Sequence, residues 1–472
     1  MQIRISNNLK NLLSVLGANL FVMFAGIIQS FLLPSLLGPE QYGYWSMYLL
    51  YIGYAGLFNF GIADGIYLIY GGANYDELDK SKFKSYFTFT ALYLTILLLI
   101  WYGICLFYPF DIETRIIMML IGVSCYLSCL MNQTVLLDQA TSRFSIYSKG
   151  HIIEKIAIMV GIILLFFIKK RVAVIVVLFS ILGKLITDIY YYSNTKPIIT
   201  AKTFPINKIL SDIKQFMFAG IWITLAAIGT TAMTNIGKSF VQTSLGVTGL
   251  GYYSFIFSLL GLFTIFFSAI ATVLFPMMKR STGESNYRQM RNVDKLLNWF
   301  GIVSLLMFVP AKIILRIIYP KYEPALHCLI VLFPIAILLG KTSMVYSTTY
   351  KVERMERQYV YNLAVSIICC IIFNFFSLRI YEDVISPAIA TYLAFLIWSI
   401  LSTFVYNRHR KDKYDYSIIY NLISIISICI NLFIKDSTLC VCITYLILIP
   451  SCIISTIKTI PVFKEVIKQI KK

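Results

Sequence analysis

The chain has 472 residues, 58% of them hydrophobic and 13% charged, and its 41 Lys and Arg against 22 Asp and Glu give a net charge of +19. That balance leaves no stretch for a separate soluble domain and describes a protein solvated by lipid from end to end. The basic excess is scattered over short loops, which argues against a nucleic-acid surface and reads as topology and attraction to anionic headgroups.

Apolar runs long enough to cross about 30 Å of hydrocarbon predict an all-α integral membrane protein with fourteen transmembrane helices. The first four cover 12–36, 44–70, 83–107 and 116–137, and a short, tightly joined pair follows at 152–168 and 172–192. After a polar stretch, 193–214, come 216–240, 252–278, 296–319, 325–350, 360–378 and 385–406, then 416–434 and 438–457. With the amino terminus in the cytoplasm, the loops on that side hold 29 Lys and Arg and the external loops 8, so both termini are expected to be cytoplasmic. Only Lys169, Lys170 and Arg171 dissent. The first apolar run is too long for a cleavable signal and is expected to stay in the protein.

The ten cysteines all lie in apolar runs and read as small buried hydrophobes. Cys125 and Cys129 are one turn apart, but with three histidines in the chain neither a metal site nor a disulfide framework is expected, and no cofactor is implied.

A repeat tests the architecture independently of hydropathy. Residues 37–53 align without gaps on 245–261, with identity at Leu37, Gly38, Gly43, Tyr44, Ser46 and Gly53. Each copy joins a long first helix to a second, and six spans separate them, so both run in the same direction. The expected plan is two parallel six-helix lobes, 1–192 and 215–406, joined by a cytoplasmic linker at 193–214, with 407–472 adding two helices and a basic tail.

Four lysines interrupt apolar spans: Lys184, Lys238, Lys312 and Lys341. A lysine in mid-bilayer costs about 2.5–3.5 kcal/mol on insertion scales, so each needs water, a partner or a route to the interface. Lys341 lies about 5 Å from the middle of its helix, too deep for easy snorkelling, and either lines a cavity or is held by a partner. Pro334, earlier on that helix, is a candidate bend. Lys184 and Asp188 share a face at i,i+4 spacing, which admits a mutual salt bridge. Lys238 and Lys312 lie near helix ends, where snorkelling is the competing reading; Asn235 shares a face with Lys238 and could bind sugar hydroxyls. Asp64 sits in Gly61-Ile62-Ala63-Asp64-Gly65, whose GxxxG spacing lets another helix approach. It is a candidate for pairing or ion coupling, with a structural cap as the alternative. Glu154 and Asp138 read as hydrated acids near the cytoplasmic face, and 138–155 as a short interfacial helix or a solvated loop.

The loop from Leu37 to Ser46, the Phe60-Gly61-Ile62-Ala63-Asp64-Gly65 segment, Leu274-Phe275-Pro276 and Tyr319-Pro320-Lys321-Tyr322-Glu323-Pro324-Ala325 resemble the O-antigen and capsule repeat-unit flippases. These are Wzx-like members of the polysaccharide transporter family, within the superfamily that also holds the multidrug and toxic-compound extruders and the lipid II flippase. The resemblance covers nearly the whole chain in helix number and repeat organisation. It implies a bacterial inner-membrane protein with lobes around a V-shaped cavity. Its cargo would be undecaprenyl-diphosphate-linked oligosaccharide, carried between leaflets for O-antigen, capsule or exopolysaccharide assembly. It also implies a groove for the polyprenyl tail on the last two helices, and leaves open H+ or Na+ coupling and a polysaccharide polymerase as partner. Helix one carries no charge between Leu12 and Pro34, where the lipid II flippases have arginine and aspartate, so their substrate is disfavoured.

A diphosphate carries about two negative charges and needs a hydrated path with fixed cations. Four lysines in spans, against Asp64 and Asp188 at comparable depth, favour an anionic cargo over the organic cations of a cation-coupled exporter on a related fold. A membrane-embedded polysaccharide-modifying enzyme is a third reading. The longest polar loop, 193–214, holds no His, Cys or paired carboxylates, so catalysis is not expected.

Overall fold

A computed structural model describes residues 7–168, 171–280, 284–352, 355–410, 416–434 and 437–470. Among them every regular element is helical, in keeping with the predicted class. Among the described residues eleven helices are long and apolar enough to cross a bilayer, or twelve if one bent pair is a single span, and the chain is a multi-pass membrane protein.

Contacts divide the chain into two compact units, Met1–Thr231 and Ala232–Lys472. The first holds α1 (Asn7–Ile52), α2 (Ile62–Ile69), α3 (Lys80–Phe107), α4 (Ile112–Ala140), α5 (Phe144–Phe167), α6 (Ala173–Asn194), the single turn α7 (Lys196–Ile199) and the start of α8 (Ile206–Arg280). The second holds the rest of α8, then α9 (Glu284–Leu306), α10 (Phe308–Ile318), α11 (Leu329–Lys341), α12 (Ser347–Val352), α13 (Glu356–Ile380), α14 (Ile385–Arg410), α15 (Tyr416–Phe433) and α16 (Ser437–Ile470).

α1 and α8 each contain one residue that leaves the helical backbone: Gly38 at φ 74°, ψ 171°, and Gly246 at φ 70°, ψ −170°. That region is essentially closed to residues with a β-carbon. These are the two glycines that superpose in the repeat, so the short identity marks a shared backbone break that turns one long helix into two legs.

The span count differs from fourteen for local reasons. Gly17–Asn59 counts as one apolar run although its backbone turns at Gly38 and α1 ends at Ile52; Met290–Leu306 and Phe308–Ile318 are bent by 52°; and Ile418–Phe433 is shorter than a full crossing. The polar stretch 193–214 is largely helical, because α6 runs to Asn194, α7 follows and α8 begins at Ile206. Residues 144–155 form the first turns of α5, so the expected interfacial helix is part of a spanning one.

In the first unit, α2 crosses the start of α8 with the backbones in contact. A β-carbon on Gly65 would lie 2.1 Å from the Phe216 carbonyl oxygen, and one on Gly220 would lie 2.0 Å from that of Gly61. The GxxxG spacing read from the sequence therefore does what small residues at helix crossings do. A buried hydroxyl ties three more helices together: Tyr48 on α1 is 2.6 Å from Ser124 Oγ on α4 and 2.8 Å from Ser180 Oγ on α6. Asp111 caps α4, and the Thr114 hydroxyl and N–H hold its carboxyl below the usual range.

In the second unit, Tyr253 stacks on Phe257 at 4.1 Å and its hydroxyl lies 3.1 Å from Thr391 Oγ1, joining α8 to α14. α11 gives way to a π-helical turn at Thr342–Tyr346 directly after Lys341. Such turns shift the register by one residue and concentrate at functional sites.

Candidate functional site

Among the described residues each unit buries one lysine beside an acid, and in both cases the acid lies on a neighbouring helix. In the first unit, Lys184 on α6 is 6% exposed and its Nζ donates to Glu154 Oε1 on α5 at 2.7 Å. Gly183 lets the helices meet, since a β-carbon there would lie 2.8 Å from Ala157 Cβ and 3.0 Å from the Glu154 carbonyl oxygen. Two expectations change as a result. Asp188 is not the partner of Lys184: it is buried, and neither carboxylate oxygen has a hydrogen-bond partner among the described residues. Glu154, expected to be hydrated, is buried and paired, because the rotation of α5 turns it towards α6 rather than towards water. Asp138 is likewise fully buried, 3.3 Å from Arg143 Nη1. Arg143 and Lys80 each lie 3.9 Å from the centre of the Tyr75 ring.

Asp64 is half-buried where α2 meets α8, and its carboxylate accepts a hydrogen bond from the Thr224 hydroxyl. No lysine or arginine pairs with it among the described residues.

In the second unit, Lys341 at the end of α11 is 0% exposed. Its Nζ lies 3.4 Å from Asp294 Oδ1 on α9 and 5.6 Å from the centre of the Tyr420 ring on α15. The contact is electrostatic without hydrogen-bond alignment, for Lys341 Nζ and Asp294 Oδ1 both lack a hydrogen-bond partner among the described residues. Asn298 Nδ2 donates to Asp294 Oδ2 at 3.1 Å, while Asn298 Oδ1 and the Tyr420 hydroxyl are buried and unsatisfied. Gly301 admits the tyrosine: a β-carbon there would lie 2.4 Å from Tyr420 Cε2. A cavity of about 320 Å³ between α9, α15 and α16 borders this cluster, with Tyr420 and Asn298 in its wall.

Asp294 was missed in the sequence because it lies in the basic segment before helix nine and reads as loop. The available signal was its i,i+4 spacing to Asn298 on an otherwise apolar face. The other candidates do not join Lys341. Lys238 is partly exposed and makes no ion pair or hydrogen bond among the described residues, and Asn235, 5% exposed, accepts at its carbonyl from Ser239. Lys312 is exposed, 5.9 Å from the Phe308 ring centre, and neighbouring Arg316 pairs with Glu323 at 2.8 Å.

A sequence profile described as polysaccharide biosynthesis protein matches residues 8–282, more than half of the chain. The chain belongs to this family. Among solved structures it is similar to the lipid II flippase MurJ in an inward closed conformation, with a TM-score of 0.65 and 17% identity over 94% of this chain and 97% of that one. It is also similar to an inward-facing multidrug resistance MATE family transporter of the MOP superfamily, with a TM-score of 0.57 and 11% identity over 85% of this chain and 99% of that one. At these identities the likeness is one of fold. Comparison with curated protein sequences finds no match. A chain of the polysaccharide biosynthesis family therefore shares its fold with these two structures.

Proposed function

We propose that this protein is a flippase that moves undecaprenyl-diphosphate-linked oligosaccharide repeat units from the inner to the outer leaflet of a bacterial cytoplasmic membrane by alternating access. The carrying observation is Lys341, an ammonium with no exposure, set in an under-satisfied polar cluster in the middle of a polysaccharide-family chain. Burying a charge beside unsatisfied polar atoms is costly in a purely structural role and useful in one that exchanges partners with an anionic cargo. In this reading Lys341 exchanges Asp294 for a phosphate oxygen during transport. Lys184, locked to Glu154, holds α5 and α6 together, and Lys238, Asn235 and Lys312 remain candidates for cargo contact. Asp64 and Asp188 are the acids available for coupling to H+ or Na+. The cytoplasmic placement of both termini rests on the distribution of 29 basic residues against 8.

The test is a leaflet-accessibility assay in liposomes, with a polyprenyl-diphosphate oligosaccharide, an impermeant sugar-modifying probe, and imposed H+ or Na+ gradients. The wild type raises the accessible fraction, and Lys341→Gln lowers the rate about tenfold or more, as loss of one charge-assisted hydrogen bond implies. An unchanged rate in a well-folded Lys341→Gln removes the lysine from the site. Transport of an amphipathic cationic dye with no movement of the oligosaccharide replaces the flippase reading with that of a multidrug exporter.

A further inference from the structure

The cavity between α9, α15 and α16 has a chemistry of its own. α9 contributes Lys295, Asn298 and Ile302, and α16 contributes Ser451, Ser455, Lys458 and Thr459. These spacings place each set on a single helix face, so the two faces converge by design of the helical repeat. α15 closes the wall with Tyr420 between isoleucines. α9 and α16 are tied together by Trp299 Nε1 donating to Thr456 Oγ1 at 2.8 Å and by the Tyr445 hydroxyl donating to the Leu306 carbonyl at 2.6 Å.

Three properties decide what fits. Lys295 and Lys458 give the wall two positive charges, while the nearby carboxylate of Asp294 faces Lys341. Both lysines lie towards the ends of their apolar segments, Met290–Leu306 and Leu439–Val462, at the depth where lipid headgroups sit. Between the charges the lining is apolar, from Ile302, Ile423 and Ile454, with hydroxyls of Ser451 and Ser455 interspersed. Independently, two buried polar atoms of lining residues lack partners among the described residues: the Tyr420 hydroxyl, a donor suited to a phosphate oxygen, and Asn298 Oδ1, an acceptor suited to a headgroup hydroxyl. A soluble anion would have no use for the isoleucines, and an acyl chain none for the lysines.

We infer that this cavity is a binding site for the phosphate group of a membrane lipid, clamped between Lys295 and Lys458. Under the proposed orientation it opens to the cytoplasmic leaflet. Two lipids share the chemistry: the diphosphate-bearing cargo waiting to be loaded, and an anionic phospholipid of the bilayer. The cargo source rests on the flippase reading; the phospholipid source does not.

The test uses the full chain in phosphatidylcholine nanodiscs with two photo-reactive probes, a diazirine isoprenoid diphosphate and a diazirine phosphatidylglycerol, and locates the label by peptide mass spectrometry. Label is expected on residues 295–302 and 451–459, falling about tenfold for each of Lys295→Gln and Lys458→Gln, with Lys458→Arg restoring part of it. Ser455→Leu fills the cavity with both charges kept and also removes the label, which guards against a lysine variant that folds poorly. Lys321→Gln, at an exposed position outside the cavity lining, leaves labelling unchanged. Protection by unlabelled isoprenoid diphosphate but not by phosphatidylglycerol supports the site with the cargo as its source; equal protection by both supports it with a bilayer lipid. Label absent from these peptides with both probes, or insensitive to the double lysine variant and to Ser455→Leu, overturns the inference. Labelling that persists in a protein that moves no oligosaccharide leaves the site and refutes the flippase reading, and transport without labelling does the reverse.

Discussion

The buried lysines of the two units solve the same problem in opposite ways. Lys184 meets Glu154 at 2.7 Å in a hydrogen-bonded pair, on helices drawn together at Gly183. Lys341 meets Asp294 at 3.4 Å without hydrogen-bond alignment, next to a π-helical turn and a cavity whose wall carries unsatisfied polar atoms. The first arrangement is closed, since each charge has its partner and neither gains from moving. The second is open, and its residual polarity can be met by a ligand. Depth in an apolar run does not separate a lysine with a hydrogen-bonded acid from one whose pairing is left incomplete; the geometry of the pair does.

This contrast can be broken in order of expected effect. Glu154→Ala leaves Lys184 buried without its acid and should cost about 3–5 kcal/mol, read as a large drop in thermal stability in detergent, while the double change Lys184→Met with Glu154→Leu should be near neutral or stabilising. If the single variant is as stable as wild type, the closed pair is not a latch. Gly220→Ala drives a β-carbon into the Gly61 carbonyl and should cost about 1–3 kcal/mol by overpacking, with a matching fall in the same melt. Gly301→Ala is expected to cost less than Gly220→Ala, because its β-carbon meets a tyrosine ring that can swing rather than a backbone. It should nevertheless reduce lipid labelling of α9 and α16, and a full label would place Tyr420 outside the site. The smallest effect concerns the loop before α14. Burial raises the Asp383 carboxyl, but His327, 3.0 Å away, and the Ile385 N–H more than offset it and hold it below the usual range. A depressed carboxylate contributes stability above its unfolded pKa of about 3.9 and loses it as pH falls through the lower folded value. The acid limb of the melting curve should therefore be shallower in Asp383→Asn.

Part of this was legible from residues alone. The aligned glycines 38 and 246 announced two equivalent breaks, because the backbone they adopt is open only to glycine. The spacing of Gly61 and Gly65 announced a close crossing, though not that its partner would be Phe216 and Gly220. The lysines could be singled out because ammonium groups are rare in apolar helices. Their partners could not be named, and the local guess of Asp188 for Lys184 failed.

The sequence by itself determined the helices, their breaks, the family and the presence of charge where lipid would exclude it, since these follow from composition, period and the special backbone of glycine. Tertiary structure alone decided which acid each lysine faces and that Asn298 and Tyr420 border a cavity with Lys295 and Lys458. Those outcomes depend on the rotation of each helix about its axis and on where two helices touch. Both are set by packing between residues on different helices, from Glu154 and Lys184 to Lys295 and Lys458, and no local spacing encodes them.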